Sequence, residues 1–353
     1  MFLFSERTRY LTDGRIKCYV HFEDNNVVFE GIIALADFVG YGFTYVNFKL
    51  NAEKIKTCTE KMSSVFQKFC GEHVLLEAEK EVKLVTKALL FYTCGGVVIN
   101  SVLPMLEFKS CQQTRVSDYY RIHDPCGMPV RTWYPFDSSQ PGQYYFLVIL
   151  HAYTCLAIAS TVLCITMTLV GLMIHIIAQL RYLQNCILHV FDSDIDNLVL
   201  LKRKLHFCIQ YHVTVINYAT EVFGNFNLLL IVHVSLTSLV MGSLCFQIVY
   251  AENVSDKLRF MLHLGGWVTM LFITCYYSQQ IINESVSVAD AAFDSKWYNA
   301  PLSSKRCLIL IMMRSQKPLK LSAASVTVLS LQSFLLITKT AYSYFTLLLS
   351  MEQ

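Results

Sequence analysis

Residues 145–178, YFLVILHAYTCLAIASTVLCITMTLVGLMIHIIA, decide the fold class. A bilayer core about 30 Å thick is crossed by a helix of about 20 apolar residues. This run has 34 residues, which as a helix would rise about 51 Å. It overshoots a membrane, and we expect it to continue into water as a helix toward RYLQNCILHVFDSD (181–194). Four more stretches, 85–106, 225–250, 260–281 and 322–350, are long and apolar enough to span. A sixth, VVFEGIIALADFVGYGFTYVNF (27–48), carries Glu30 and Asp37 and is accepted on the expectation that neighbouring helices shield the two carboxylates. The expected fold class is all-α, a polytopic membrane helix bundle with six spans.

Composition agrees. The 353 residues are 54% apolar and 16% charged, against about 45–50% and about 25% in soluble domains. A soluble core of this size cannot absorb that excess, which argues against a soluble enzyme, a disordered chain and a nucleic-acid binder. The balance of 29 basic and 26 acidic residues gives no case for a polyanionic partner. The opening MFLFSERTRY has no signal-peptide apolar region, so the spans themselves are expected to drive insertion. Thirteen scattered cysteines include no CxxC pair, against zinc and thioredoxin-type sites.

Lys and Arg set the sidedness. Segments 49–83, 179–221 and 281–320 carry 17 of them, while 1–26, 107–143, 251–259 and 351–353 carry 10. The first group is expected to be cytoplasmic, which leaves the C-terminus extracellular. Asn253-Val254-Ser255 is then an external glycosylation sequon close to the membrane. Cys111 and Cys126 share the external 107–143 loop, where a disulfide and two free thiols are both open outcomes.

Several motifs fail on their chemistry. Asp192 to Asn197 opens like a calcium loop, but Asn197 stands where the turn needs glycine and Arg203 where the ion needs glutamate. Lys202-Arg203-Lys204 reads as a solvated helix face. Gly95-Gly96 and Gly40-Tyr41-Gly42 lack the strand–turn–helix setting of phosphate loops and read as close-packing positions. No HExxH, GxSxG or Walker string is present. No enzyme, metal or cofactor is expected. His151, His233 and His263 are expected as hydrogen-bonded core residues. The last stretch is polar along its length, with Ser330, Gln332, Ser333, Thr338, Lys339, Ser343 and Thr346 among others. Such a helix lines water or packs inside a bundle, and lining a pore needs several copies around an axis.

The C-terminal third carries a resemblance. KWYNAP (296–301) is followed by RSQKPLKLSA (314–323) and then LSLQSFLLITKTAYSYFTLLLS (329–350). This order of Trp297, then Arg314-Ser315-Gln316-Lys317-Pro318, then Tyr342, Tyr344 and Phe345 resembles the insect odorant receptor family. The segments 133–145, 171–183, 207–223 and 275–298 resemble it too, so the likeness runs from about residue 83 onward.

The resemblance implies a seven-helix protein with a cytoplasmic N-terminus, inverted relative to G-protein-coupled receptors. The 27–48 span matches the family's second helix. Residues 1–26 hold no first helix, and a truncated gene model or misassigned first exon is expected. The implied organisation is an N-terminal segment (1–26), an odorant-binding bundle (27–280) with external loop 107–143 and cytoplasmic loop 179–221, a cytoplasmic subunit-contact region (281–320) and a pore-lining helix (321–353). Pro318 suits the break before that helix.

Family members form tetrameric, odorant-gated, nonselective cation channels with an obligate co-receptor subunit, in the plasma membrane of sensory-neuron dendrites. The gate falls on Leu347, Ser350 and Met351, whose i, i+3, i+4 spacing shares one helix face. Four copies of Leu347 and Met351 would form an apolar ring that closes by dewetting. The pocket for volatile apolar ligands lies among the second, third, fourth and sixth helices, which here offer Phe29, Ile33, Gly96, Asn100, His151, Cys155, Phe260, His263 and Trp267. The rivals are a gustatory receptor-like channel, whose TYxxxxxQF differs from Tyr342-Ser343-Tyr344-Phe345, a G-protein-coupled-type chemoreceptor, for which DRY-like and NPxxY-like strings are missing, and a transporter, for which no repeat is seen.

Overall fold

A computed structural model describes residues 25–109, 126–129, 134, 136–138, 140–192, 198–251, 253–323 and 327–352. In chain order the helices are α1 (Asn25–Leu50), α2 (Ala52–Phe66), α3 (Glu72–Leu106), α4 (Pro141–Leu188), α5 (Leu198–Tyr250), α6 (Val254–Asp294), α7 (Leu302–Ser315) and α8 (Leu331–Glu352). A 3-10 turn at Trp297–Asn299 precedes α7, and a short antiparallel hairpin, β1 (Ser322–Ala323) with β2 (Thr327–Val328), precedes α8.

The apolar 145–178 run lies in a 48-residue helix that continues past the membrane length to Leu188, the continuation expected from its length. Pro141 opens α4 at its first turn, where the missing N–H costs nothing because the helix leaves that donor unpaired. The 225–250 stretch is the second half of the 53-residue α5. The 260–281 stretch is the middle of α6. Among the described residues, α3, α4, α5 and α6 are long and apolar enough to cross a membrane. The other two expected spans fall on α1 and α8.

The last span needs correcting at its start. The helix begins at Leu331, not at 322, because Ser322–Ala323 and Thr327–Val328 pair as strands instead. Thr327 and Val328 are β-branched and favour extended backbone. Ser330 and Ser333 then start the helix reciprocally: each backbone N–H donates to the other's hydroxyl, at 2.7 and 3.2 Å. This closes two donors that a helix start leaves open.

The two halves of the bundle differ. In the half holding α2, which is the expected cytoplasmic side, α4 and α5 are tightly packed. Val170, Met173, Ile176, Leu180 and Leu183 of α4 and Leu201, Tyr211, Val215 and Val222 of α5 are fully buried. Phe69 stacks on Tyr211 at 4.9 Å, and Phe66 meets Tyr218 edge-on at 5.2 Å. Each aromatic pair contributes about 0.5–1.5 kcal/mol beyond its burial. Tyr211 donates to Gln179 Oε1 at 2.6 Å inside this core. Polar links surround it: Lys61 pairs with Glu221 at 2.7 Å, and Arg181 and Gln184 both bind Glu284. The opposite half is hollow.

Candidate functional site: an apolar cavity in the open half

A cavity of about 1080 Å³ lies among α1, α3, α4, α5 and α6. Seven of the nine ligand-site candidates line it: Gly96, Asn100, His151, Cys155, Phe260, His263 and Trp267. The side chains of Phe29 and Ile33 lie outside the described residues, although both positions belong to α1. α1 meets the cavity further along, through Ala36, Gly40, Tyr41 and Thr44.

The four-helix pocket implied by the resemblance is incomplete. α5 supplies Phe226, Leu229, Leu230, His233, Leu236, Leu244 and Gln247, and the segment between α3 and α4 supplies Pro129 and Tyr134. Periodicity marks α5 as apolar but does not say which neighbour each face meets. Gly40 does permit close packing, since a Cβ there would stand 2.7 Å from Leu236 Cδ1. Gly95, Gly96 and Gly42 do not: nothing lies within 4 Å of a Cβ built on them. At Gly96 the space left over belongs to the cavity.

The polar groups on the wall are few and mostly engaged. Tyr134 Oη and His151 Nε2 are 2.6 Å apart, tying the segment above the cavity to α4. Met128 and Tyr134 pack there against Leu147 and Val148. Gly127 turns this segment with φ 80°, in the left-handed region, and a Cβ would reach within 2.7 Å of Tyr144 Oη. Glycine is the residue that accepts both constraints. Cys126 is disulfide-bonded, while Cys111 lies outside the described residues. Arg259 is the outer clamp. It pairs with Asp256 at 2.9 Å, donates to Asn100 Oδ1 at 3.2 Å, and donates to the Pro129 carbonyl. One side chain thus joins α6, α3 and the overlying segment.

Deeper, Trp267 donates its indole N–H to His263 Nε2 at 3.1 Å and stacks on His233, centroids 5.6 Å apart. Tyr92 donates to the Leu262 carbonyl at 2.6 Å. The expectation of hydrogen-bonded core histidines thus fits His151, which is buried, whereas His263 is hydrogen-bonded but exposed. His233 departs from it, because its Nε2 has no partner among the described residues. The remaining wall is apolar. Such a site excludes water and holds a ligand by area and shape, with a few polar groups to orient it.

The pore and signature candidates lie elsewhere. Leu347 and Ser350 are exposed on α8, and Ser350 Oγ bonds back to the Leu347 carbonyl at 2.8 Å. The side chain of Met351 lies outside the described residues. Tyr342 and Tyr344 are exposed, and Phe345 packs beside Tyr342 with centroids 6.0 Å apart. Trp297 opens the 3-10 turn with Lys305 Nζ 5.9 Å from its ring. Arg314 and Ser315 end α7, and Gln316 caps it. Arg314 holds the Lys317 carbonyl at 3.0 Å. Just past Pro318, the Leu319 N–H donates to Ser285 Oγ on α6 at 3.0 Å. After the hairpin, Ser278 Oγ donates to the Leu329 carbonyl at 2.8 Å. The signature therefore ties the α7–α8 connection to α6. Of the calcium-loop decoy, only Asp192 is described, and it binds His189 and Lys296. No metal-holding cluster is found among the described residues.

Comparison with known proteins gives the family. Odorant receptor Or2 of Anopheles gambiae is 25% identical over 320 residues, 86% of this chain and 81% of the relative. Odorant receptor 67c of Drosophila melanogaster is 26% identical over 284 residues, 78% of this chain and 67% of the relative. For odorant receptor 13a of the same organism the figures are 23%, 63% and 57%. The chain spans little more than half the length of several curated relatives it matches. In fold it is similar to the insect olfactory receptor OR5 from Machilis hrabei in complex with eugenol, with a TM-score of 0.76 over 93% of this chain and 83% of that one, at 17% identity. The profile of the 7tm odorant receptor family matches residues 25–342, and the chain belongs to that family.

Proposed function

We propose that the chain is the odorant-binding subunit of a ligand-gated, nonselective cation channel, working with a co-receptor subunit in the plasma membrane of a sensory neuron. The observation that carries the reading is an apolar cavity that gathers seven candidate residues from three helices far apart in sequence. The olfactory receptor of similar fold was solved with eugenol, a ligand of the compact, weakly polar kind that such walls suit. A ligand bound here favours the state in which it fits best, and only that difference in affinity opens anything. α5 is the natural link, since it lines the cavity and packs along α8. α8 would stand at the symmetry axis with Leu347, Ser350 and Met351 on its water-facing side, and Leu347 and Met351 would form the apolar constriction. Cys111 is the proposed disulfide partner of Cys126.

The test is co-expression with the co-receptor in oocytes and current recording against an odorant panel. Ligand-evoked cation current is expected. Leu347→Ala or Met351→Ala should raise leak or alter conductance, and Gly96→Phe should suppress the response by filling the cavity. A silent receptor that reaches the surface would overturn the reading. Unchanged leak and conductance in both α8 variants would remove the gate from this position.

A further inference from the structure

The cavity is long as well as apolar. Its wall on α6 runs from Arg259 to Thr274, which is about 22 Å of helix at 1.5 Å per residue. On α4 it runs from Leu150 to Leu169, about 28 Å by the same rise. A bilayer core about 30 Å thick holds two acyl layers, so one layer is about 15 Å deep. The cavity exceeds the reach of one acyl layer. Spread over about 22 Å, its 1080 Å³ leaves a mean cross-section of about 50 Å². A compact volatile occupies part of that length, whereas an extended aliphatic chain follows all of it.

The two ends differ in chemistry. The deep end is walled by Leu89, Ile165, Leu169, Phe226, Leu229 and Met270. The Thr274 hydroxyl there is already given to the Met270 carbonyl at 2.9 Å. The outer end holds Asn100, Gln247 and Arg259. Asp256 offsets the Arg259 charge, so an anionic head would gain no free cation and would meet that carboxylate. Gln247 is buried at 3% exposure, and its amide nitrogen finds no acceptor among the described residues. A buried donor without a partner costs free energy, which an incoming acceptor restores. The terminal torsion of glutamine is broad, so the amide turns toward the cavity at small cost.

We propose that the cavity takes a long-chain aliphatic ligand with a neutral oxygen function at one end, an alcohol, aldehyde or ester. The chain lies along the bundle axis with its tail among Leu169, Phe226 and Met270, and its oxygen accepts from Gln247. This rests on the reading of the cavity as the odorant site. The same chemistry is available from a free odorant or from an uncharged membrane lipid, and the test separates them.

The receptor, co-expressed with its co-receptor, is challenged with straight-chain 1-alkanols from hexanol to hexadecanol, carried by cyclodextrin, beside eugenol as the compact control. Potency is expected to climb with chain length and to exceed that of hexanol by about tenfold or more at dodecanol and beyond. Thr166→Phe, at a half-buried wall position near the deep end, should move the optimum to shorter alcohols while the hexanol response persists, which shows that the variant folds. Gln247→Leu should weaken the long alcohols about tenfold more than it weakens eugenol. A potency maximum at hexanol, or an optimum that Thr166→Phe does not move, would overturn the inference while the odorant reading stands. Silence toward alkanols, eugenol and the whole odorant panel would instead overturn the odorant reading. In parallel, lipid is extracted from purified receptor with and without dodecanol. Displacement of a co-purified long-chain species by dodecanol supports the free ligand, and retention assigns the cavity to the membrane lipid and overturns the agonist role.

Discussion

A methyl group placed on Gly242 of α5 would stand 2.8 Å from the carbonyl oxygen of Ala341 on α8, and 2.9 Å from Tyr344 Cβ. Two helices far apart in sequence thus meet backbone to backbone, with no space at this point for a Cβ. α5 also lines the cavity, so this contact joins a cavity-lining helix to α8. Gly242→Val should force the helices apart at a cost of about 1–3 kcal/mol, the usual range for overpacking. A lower melting temperature in detergent and a lost or leaky current checks it, and a variant indistinguishable from wild type in both would sink it.

The Arg259 clamp makes a second prediction. Arg259→Ala leaves Asp256 and Asn100 without their guanidinium and frees the Pro129 carbonyl. Hydrogen bonds to charged groups contribute about 1.5–3 kcal/mol, so stability should fall by that order and ligand-evoked current should decay faster on washout. Arg259→Lys should recover only part of this, because an ammonium cannot serve three acceptors from one planar fork.

His212 gives a pH dependence with a definite sign. It is buried on α5, below the expected span, and burial first and the Arg314 charge second hold its pKa down to about 4. The unfolded chain takes up this proton near pH 6.5, before the folded one does. Stability should therefore decline as pH falls from about 6.5 to about 4, by about 3 kcal/mol in all, and stop declining through this group below that. His212→Gln should flatten this part of the curve in denaturant titrations at each pH.

Removing the start of α8 tests the Ser330–Ser333 pair. Ser333→Ala deletes one of the two reciprocal bonds and leaves a backbone donor open, at a cost of about 1 kcal/mol. Ser330→Ala deletes the other bond, and the double variant should lose both. Single variants that leave thermal unfolding unchanged would argue against a cap.

The positions legible in sequence were those whose physics is local. Apolar length marked the spans, and the 34-residue run at 145–178 implied the helix that continues to Leu188. What failed was also physical. Residues 322–328 are apolar enough to read as the start of a span, yet β-branched Thr327 and Val328 pair with Ala323 and Ser322. Gly96 read as a packing residue because small side chains in membrane helices permit close approach. Only the placement of its neighbours shows that nothing approaches.

Membrane class, the positions of the four long apolar helices α3 to α6 and the family signature follow from the chain read alone, because hydrophobic length and local spacing do not depend on which helix stands next to which. The cavity is a product of tertiary packing. Tyr134 meets His151, Arg259 meets Pro129, and α5 turns Phe226 and Gln247 toward residues of α3 and α6. An empty space has no residues of its own. Its length and its polar end are set by where five helices stop short of touching, and no single stretch of sequence carries that distance.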